Sequence, residues 1–226
     1  MTNKLLETIE VETGTKPAAS VIWMHGLGAD GNDFVPVVQE LALDHAPAIR
    51  FIFPHAPMQP VTINNGYVMR AWYDVKWGDL EGRAKQADEK GVRASQAAIV
   101  QLIEREVSRG TQLDKIVLAG FSQGGAVALQ TGLRHPHRLA GVMALSTYLP
   151  LAESFASEAT QENRRTPLFM AHGTQDGVVP YAMGARSRDL LIEQGYDVEW
   201  HEYPMQHSVC LEEIAHIGAW LNKVLA

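Results

Sequence analysis

A chain of 226 residues, 46% hydrophobic and 20% charged, has the makeup of an ordinary globular protein and can bury most of its apolar surface in one core. The net charge of −7, with no dense Lys/Arg cluster, argues against nucleic acid as a partner, and no apolar run approaches the roughly 20 residues that span a bilayer. The lone cysteine, Cys210, excludes an intrachain disulfide, and the start lacks the apolar core of a signal peptide, so a cytoplasmic setting is the expectation.

No internal repeat, low-complexity tract or linker interrupts the sequence, and a single domain over residues 1–226 is expected. Residues 5–11 alternate apolar and polar, the pattern of a half-buried edge strand. Val21-Ile22-Trp23-Met24 is the short apolar run of a buried central strand, and it opens into His25-Gly26-Leu27-Gly28. Asn32 or Asp33 is placed to cap a helix reaching about Asp44. Phe51-Ile52-Phe53 reads as another buried strand. Residues 54–90 then break the rhythm, rich in Pro and Asn at their start and holding Trp72, Tyr73 and Trp77. Irregular stretches this long are more often functional than accidental.

Residues 88–109 carry Val92, Ser95, Ile99, Leu102, Ile103 and Val107 at helical spacing. A buried strand at 116–119 leads into a helix from Gln123 to about Arg134, which stops before Pro136. Further buried strands follow at 141–145 and 167–171, separated by the polar stretch 150–166, which reads as a loose helix with loops. A helix over 181–194 ends at Gly195, residues 197–203 alternate again as a strand nearer an edge, and a helix over 208–225 closes the chain. Val209, Ile214, Ile217 and Leu221 form the buried stripe of that last helix. Strands alternating with helices predict an α/β fold, a mostly parallel central sheet with helices on both faces and ligands beyond the carboxyl ends of the strands.

The most informative stretch is Gly120-Phe121-Ser122-Gln123-Gly124, directly after the apolar run 116–119. At a tight strand-to-helix turn, strain pushes a serine Oγ into solvent, and flanking glycines permit the close backbone approach that a Cβ would block. With 19 Gly and nine Ser the pattern arises by chance in roughly one such chain in fifteen, so it needs partners. A serine hydroxyl requires a base to take its proton, and the base requires a carboxylate to fix its tautomer. The acid is expected after a later strand and the histidine after a later one still.

Asp176 fits the acid: it lies in His172-Gly173-Thr174-Gln175-Asp176-Gly177-Val178-Val179-Pro180, directly after the apolar run 168–171. The competing role for such an aspartate is a turn or helix cap. Of nine histidines, only His207 occupies the loop after the strand that follows Asp176. A tetrahedral oxyanion would be held by the backbone N–H groups of Gln123, after the serine, and Leu27, in the loop after an earlier strand. Because a backbone donor survives side-chain substitution, Gln123→Ala is expected to be mild unless it moves the loop. Trp72, Tyr73, Trp77, Leu80 and Val178 are candidates for the substrate pocket, with structural support beside the site the favoured role for Trp72. Asp74 reads as a loop-pinning acid. His135-Pro136-His137 lacks carboxylate or cysteine partners and reads as solvated surface, so neither metal nor cofactor is expected.

Taken together, these motifs resemble the carboxylesterase and acyl-protein thioesterase family, sometimes grouped with lysophospholipases. The resemblance runs from about Val21 to the C-terminus and rests on His25-Gly26-Leu27-Gly28, Pro54-His55-Ala56-Pro57, Pro60-Val61-Thr62, Trp72-Tyr73-Asp74, the elbow through Gly125, His172-Gly173, Asp176, Val179-Pro180 and His207-Ser208. It implies an α/β-hydrolase fold with minimal or no cap domain, carries the triad Ser122, Asp176 and His207 and the donors Leu27 and Gln123, and implies that residues 54–90 shape the acyl site. The chain departs from the family at Ala71, where serine is frequent, and at 76–86, where no motif aligns. The expected function is a serine carboxylesterase acting on small to medium acyl esters through an acyl-enzyme. An acyl-protein thioesterase or lysophospholipase shares that chemistry, and a non-catalytic binding protein on the same fold would usually have lost the triad. The expected partner is a small acyl ester or thioester, and the resemblance is compatible with a homodimer.

Overall fold

The computed structural model describes residues 5–76, 78 and 88–226. Among them nine strands form in chain order: β1 (Thr8–Glu12), β2 (Ala19–Met24), β3 (Ile49–Pro54), β4 (Met58–Val61), β5 (Tyr67–Arg70), β6 (Ile116–Phe121), β7 (Gly141–Leu145), β8 (Leu168–Gly173) and β9 (Val198–Tyr203). Seven make one sheet in the order β1-β3-β2-β6-β7-β8-β9, while β4 and β5 pair separately as an antiparallel hairpin. Only β1 runs antiparallel within the large sheet. The two alternating segments thus lie at its edges, and the fully apolar runs lie inside, as expected for strands buried on both faces.

Period-two alternation splits the core into two layers. On β2, Ile22 and Met24 face α1 (Glu89–Ser108) and α2 (Gln123–Gly132), packing with Val92, Ile99, Leu102 and Leu129. Val21 and Trp23 face the other way, toward Ile217, Trp220 and Leu221 of α5 (Leu211–Leu225). Two further helices, α3 (Ala152–Glu158) and α4 (Tyr181–Glu193), join the first layer through Phe155 and Leu191. No described helix is long and apolar enough to cross a membrane.

Local signals mark two of the helix ends. Asp88 caps α1 by accepting the Gly91 N–H at 3.0 Å, and α4 closes on Gly195 at φ 83°. Three expectations need correction. The helix expected from Asn32 or Asp33 to Asp44 is a short 3-10 helix, Val35–Glu40, with Pro36 in its first turn. Its buried Val38 and the following buried Leu41 are three residues apart, a spacing that suits three residues per turn. The last helix starts at Leu211, because residues 207–210 form the turn that carries His207. Within 54–90, the irregular stretch contains the β4–β5 hairpin with a 3-10 turn at Thr62–Asn64.

Strand order dictates where a site can form. After β2 the chain moves to β3 on one side and then returns to β6 on the other, so the connections diverge between β2 and β6. A crevice opens at the carboxyl ends of strands at such a switch point. Met24 is in register with Gly120, so the loops following β2 and β6 begin side by side. Gly173 is in register with Tyr203, which does the same for the loops after β8 and β9.

Two fully buried carboxyls are treated differently. Glu106 accepts from Ser20 Oγ at 2.9 Å and from Arg50 and Arg109 guanidinium nitrogens at 3.0 and 3.2 Å. Glu213, in the first turn of α5, has no such cation, and burial, offset in part by the Cys210 backbone, pushes its carboxyl up from 4.5 to about 8. Between those values the folded chain holds a proton that the unfolded chain has released. Stability from this group is therefore full below 4.5 and is lost as pH rises through 8. Glu213→Gln removes the effect. Its Tm should exceed the parent's by several degrees at about pH 8.5 and converge with it toward about pH 5, measured by thermal melts across that range.

Candidate active site

The elbow is built by glycines that admit backbone where a side chain cannot fit. A Cβ at Gly124 would lie 2.3 Å from Met24 O, and one at Gly120 would lie 2.2 Å from the Gly124 carbonyl carbon. With α2 pressed this close to the end of β2, the connecting residue must turn sharply, and Ser122 takes φ 55°, ψ −122°. That strained backbone is held from several directions. Ser122 N–H donates to Leu145 O at 2.8 Å, and Ser122 O accepts from Thr147 Oγ1 at 2.6 Å and Ala126 N at 3.1 Å.

The three residues singled out by order converge. Ser122 Oγ lies 2.9 Å from His207 Nε2, and His207 Nδ1 lies 2.6 Å from Asp176 Oδ2. The imidazole also packs on the Phe121 ring, with centroids 4.7 Å apart. The loop carrying His207 is anchored to the loop carrying Asp176: Thr174 N–H donates to Tyr203 O at 2.9 Å and Gln175 N–H to Met205 O at 3.0 Å. A Cβ at Gly173 would lie 2.4 Å from Met205 O, so this packing also requires glycine.

Asp176 is almost wholly buried. Burial alone would raise its pKa, but the donors around it win. His172 and His207 both face the carboxylate, and Val178 N–H and Val179 N–H reach Oδ1 at 2.8 and 2.9 Å. Together they hold the carboxyl well below the usual range, so it stays ionised at neutral pH and in mild acid. Such a chain can pass a proton from a hydroxyl to the imidazole and stabilise the imidazolium formed.

Beside the serine is a cleft of about 180 Å³. Leu27, Ser122 and Gln123 line it together with apolar Ile63, Val75, Val178 and Val179. Tyr73 and Tyr148, whose hydroxyls are 2.9 Å apart, and Asn64 complete the wall. Gln123 is the first residue of α2, so its N–H is among those a helix leaves without an intrahelical acceptor. Leu27 N–H has no backbone acceptor among the described residues.

Among the pocket candidates, Val178 lines the cleft and is 52% exposed. Trp72 does not line it. At 2% exposure, its indole N–H donates to His25 O at 2.9 Å and its backbone N–H to Gln123 Oε1 at 2.7 Å, so it braces the wall from behind. Trp77 and Leu80 lie outside the described residues. Asp74 accepts from Thr62 N–H and Oγ1 at 2.7 and 2.6 Å and pins the hairpin. The sequence reading missed Ile63, Asn64, Val75, Tyr148 and Val179 as lining residues. Tyr148, three residues past the carboxyl end of β7, could have been found from the rule that ligands lie there. Among the described residues no group of three or more His, Cys, Asp or Glu is arranged to hold a metal ion.

Known proteins share this arrangement of chain. A family model described as phospholipase/carboxylesterase matches residues 6–225. The chain is 43% identical over 213 residues to acyl-protein thioesterase 1 of Neurospora crassa, covering 92% of this chain and 87% of that one. It is 33% identical to carboxylesterase SOBER1 of Arabidopsis thaliana, covering 91% and 90%. The crystal structure of Arabidopsis SOBER1 superposes with a TM-score of 0.83 at 32% identity over 92% of this chain and 99% of that one.

The Gln123 side chain does more than the sequence suggested. Its Oε1 accepts from Trp72 N–H and its Nε2 donates to Tyr73 O, each at 2.7 Å, in a buried setting. Gln123→Ala orphans both groups, at roughly 1–3 kcal/mol for each buried unsatisfied partner. The two together come to roughly 2–6 kcal/mol, so the substitution should lower Tm by at least about 4 °C in a thermal melt, where a solvent-facing glutamine would leave it unchanged.

Proposed function

The chain belongs to the phospholipase/carboxylesterase family, and from that premise we propose that it is a serine carboxylesterase cleaving small to medium-chain acyl esters through an acyl-enzyme intermediate. Its class, a hydrolase of esters or thioesters, follows from its relatives. One observation carries the finer reading: Ser122 Oγ, 2.9 Å from His207 Nε2, opens on a cleft of about 180 Å³ with mostly apolar walls. That volume suits a short to medium acyl chain. The single cysteine, which excludes an intrachain disulfide, supports a cytoplasmic setting for what we read as one domain.

In this mechanism Ser122 attacks the carbonyl as His207 takes its proton, with Asp176 orienting the imidazole. The N–H groups of Leu27 and Gln123 hold the tetrahedral oxyanion. His207 then protonates the leaving alcohol or thiolate, and water activated by the same histidine releases the acid and frees Ser122.

A thioester substrate is the second reading, favoured by the name of the Neurospora relative. A series of p-nitrophenyl esters of increasing chain length, run beside an acyl-CoA and an S-acylated peptide, separates the two. Peak turnover on short soluble esters with no peptide deacylation supports the first. Ser122→Ala should cut kcat by at least about 10³-fold and abolish labelling by a fluorophosphonate. Wild-type protein that neither turns over esters nor takes the label would show a binding protein instead.

Because Asp176 stays ionised in mild acid, loss of rate there reports protonation of the base and not of the acid. The rate should fall as pH is lowered, and a profile flat down to about pH 4 would count against a histidine base.

A further inference from the structure

His25 is not in the proposed triad, yet it is 1% exposed and fixed at both ring nitrogens. Its Nδ1 is 2.7 Å from Gly26 O, and its Nε2 is 3.1 Å from Ala56 N. A carbonyl can only accept and an amide N–H can only donate. Both neighbours therefore select one form of the ring: neutral, protonated on Nδ1, with the Nε2 lone pair facing Ala56. Burial acts in the same direction, holding the His25 pKa below its ordinary value.

The consequence passes through one peptide plane. Gly26 C=O and Leu27 N–H belong to the same trans peptide unit, in which the two bonds point in opposite directions. A hydrogen bond that fixes the carbonyl therefore also aims the N–H. Glycine at 26 would otherwise let this peptide rotate freely. The site lies against the nucleophile, since a Cβ at Gly26 would be 3.4 Å from Ser122 Cβ. The main chain of His25 is held as well, by the Trp72 indole at 2.9 Å, and Trp72 is tied in turn to Gln123 Oε1.

We propose that His25 is a positioning residue for the oxyanion donor: its Nδ1–H holds the Gly26–Leu27 peptide so that Leu27 N–H faces the developing negative charge. This rests on the reading of Ser122 as nucleophile and Leu27 N–H as donor. The proposal assigns His25 no proton transfer in the reaction and no contact with substrate.

Three substitutions test it. His25→Asn keeps a donor near the Nδ1 position, His25→Gln places its amide nearer the Nε2 position, and His25→Ala keeps neither. Removing one oxyanion donor costs about 10²–10³ in kcat, and the Gln and Ala variants should approach that loss with KM little changed. The Asn variant should recover most of it. An alkyl boronic acid, which forms a tetrahedral adduct on the serine, should lose affinity for the Gln and Ala variants by a factor similar to the loss in kcat. If all three variants lose Tm but keep kcat and boronate affinity, His25 is only a packing residue and the proposal fails. The wild-type ring provides a test that needs no variant: imidazole 15N NMR should show His25 protonated on Nδ1, and protonation on Nε2 would overturn the assignment. Fluorophosphonate labelling of Ser122 in wild type, run in parallel, separates failure of this proposal from failure of the nucleophile reading.

Discussion

The N-terminus of α2 lies so close to the end of β2 that a Cβ at Gly124 would come within 2.3 Å of Met24 O and 2.6 Å of His25 O. This approach governs the rest of the site. It forces the turn at Ser122 into positive φ, and the residue lines the cleft. It brings the loop after β2 against the loop after β6, so Leu27 and Gln123, which carry the two proposed oxyanion donors, line one cleft. It also brings the Gln123 side chain within reach of both Trp72 N–H and Tyr73 O. A helix displaced by an ångström or more to admit a side chain would loosen each of these together. Sheet register supplies the adjacency, and the missing Cβ turns adjacency into contact.

The electrostatics of the molecule follow from how each buried ionisable group is surrounded. Asp176 keeps its charge because two histidines and two backbone N–H groups face it, so the surroundings that orient His207 also stabilise the carboxylate. His25 has only a carbonyl and an amide beside its nitrogens, and it stays neutral. Glu213 has neither a cation nor a ring of donors, and it holds its proton to about 8. A buried carboxylate without compensating donors costs several kcal/mol, so the distribution of donors decides which carboxyl is available as a charge. Of Asp176 and Glu213, only Asp176, at the carboxyl ends of the strands, is compensated in this way.

Much of this was legible in the sequence because fully buried parallel strands are written as short apolar runs. Their ends located the loops after β2, β6 and β8, the alternating edge strand at 197–203 located the loop after β9, and the order Ser122, Asp176, His207 could be read from those loops. The helix expected at 32–44 failed because capping residues and apolar spacing do not separate α from 3-10 geometry when burial repeats every three residues. The β4–β5 hairpin was missed because its strands are four residues each, contain Pro60 and leave Met58, Tyr67 and Val68 exposed, so no alternation appears. Trp72 was ambiguous for a different reason. An aromatic residue in an irregular segment can line a cleft or brace it, and only the positions of His25 O and Gln123 Oε1 decide. The cleft wall comes from segments far apart in the chain, and its membership is a property of packing with no local signature.

That division has a consequence for how specificity can vary. The proposed catalytic groups stand on loops fixed by the large sheet, whereas Ile63, Asn64 and Val75 come from the segment built around the hairpin. The two parts are joined by hydrogen bonds at Arg70, Trp72 and Tyr73. Gly28 N–H donates to Arg70 O at 2.9 Å, and Arg70 Nη1 donates to Ala56 O at 2.9 Å, the carbonyl of the residue whose N–H meets His25. Residues 69–73 therefore bear on the oxyanion loop as well as the wall, and substitutions there would change rate and acyl preference together. Ile63 stands apart from those links, in the 3-10 turn pinned by Asp74 through Thr62, whereas the Asn64 side chain donates to Met69 Sδ at 3.3 Å. A change of side-chain size at position 63 therefore bears on the cleft wall and not on the Gly26–Leu27 peptide proposed to hold the oxyanion.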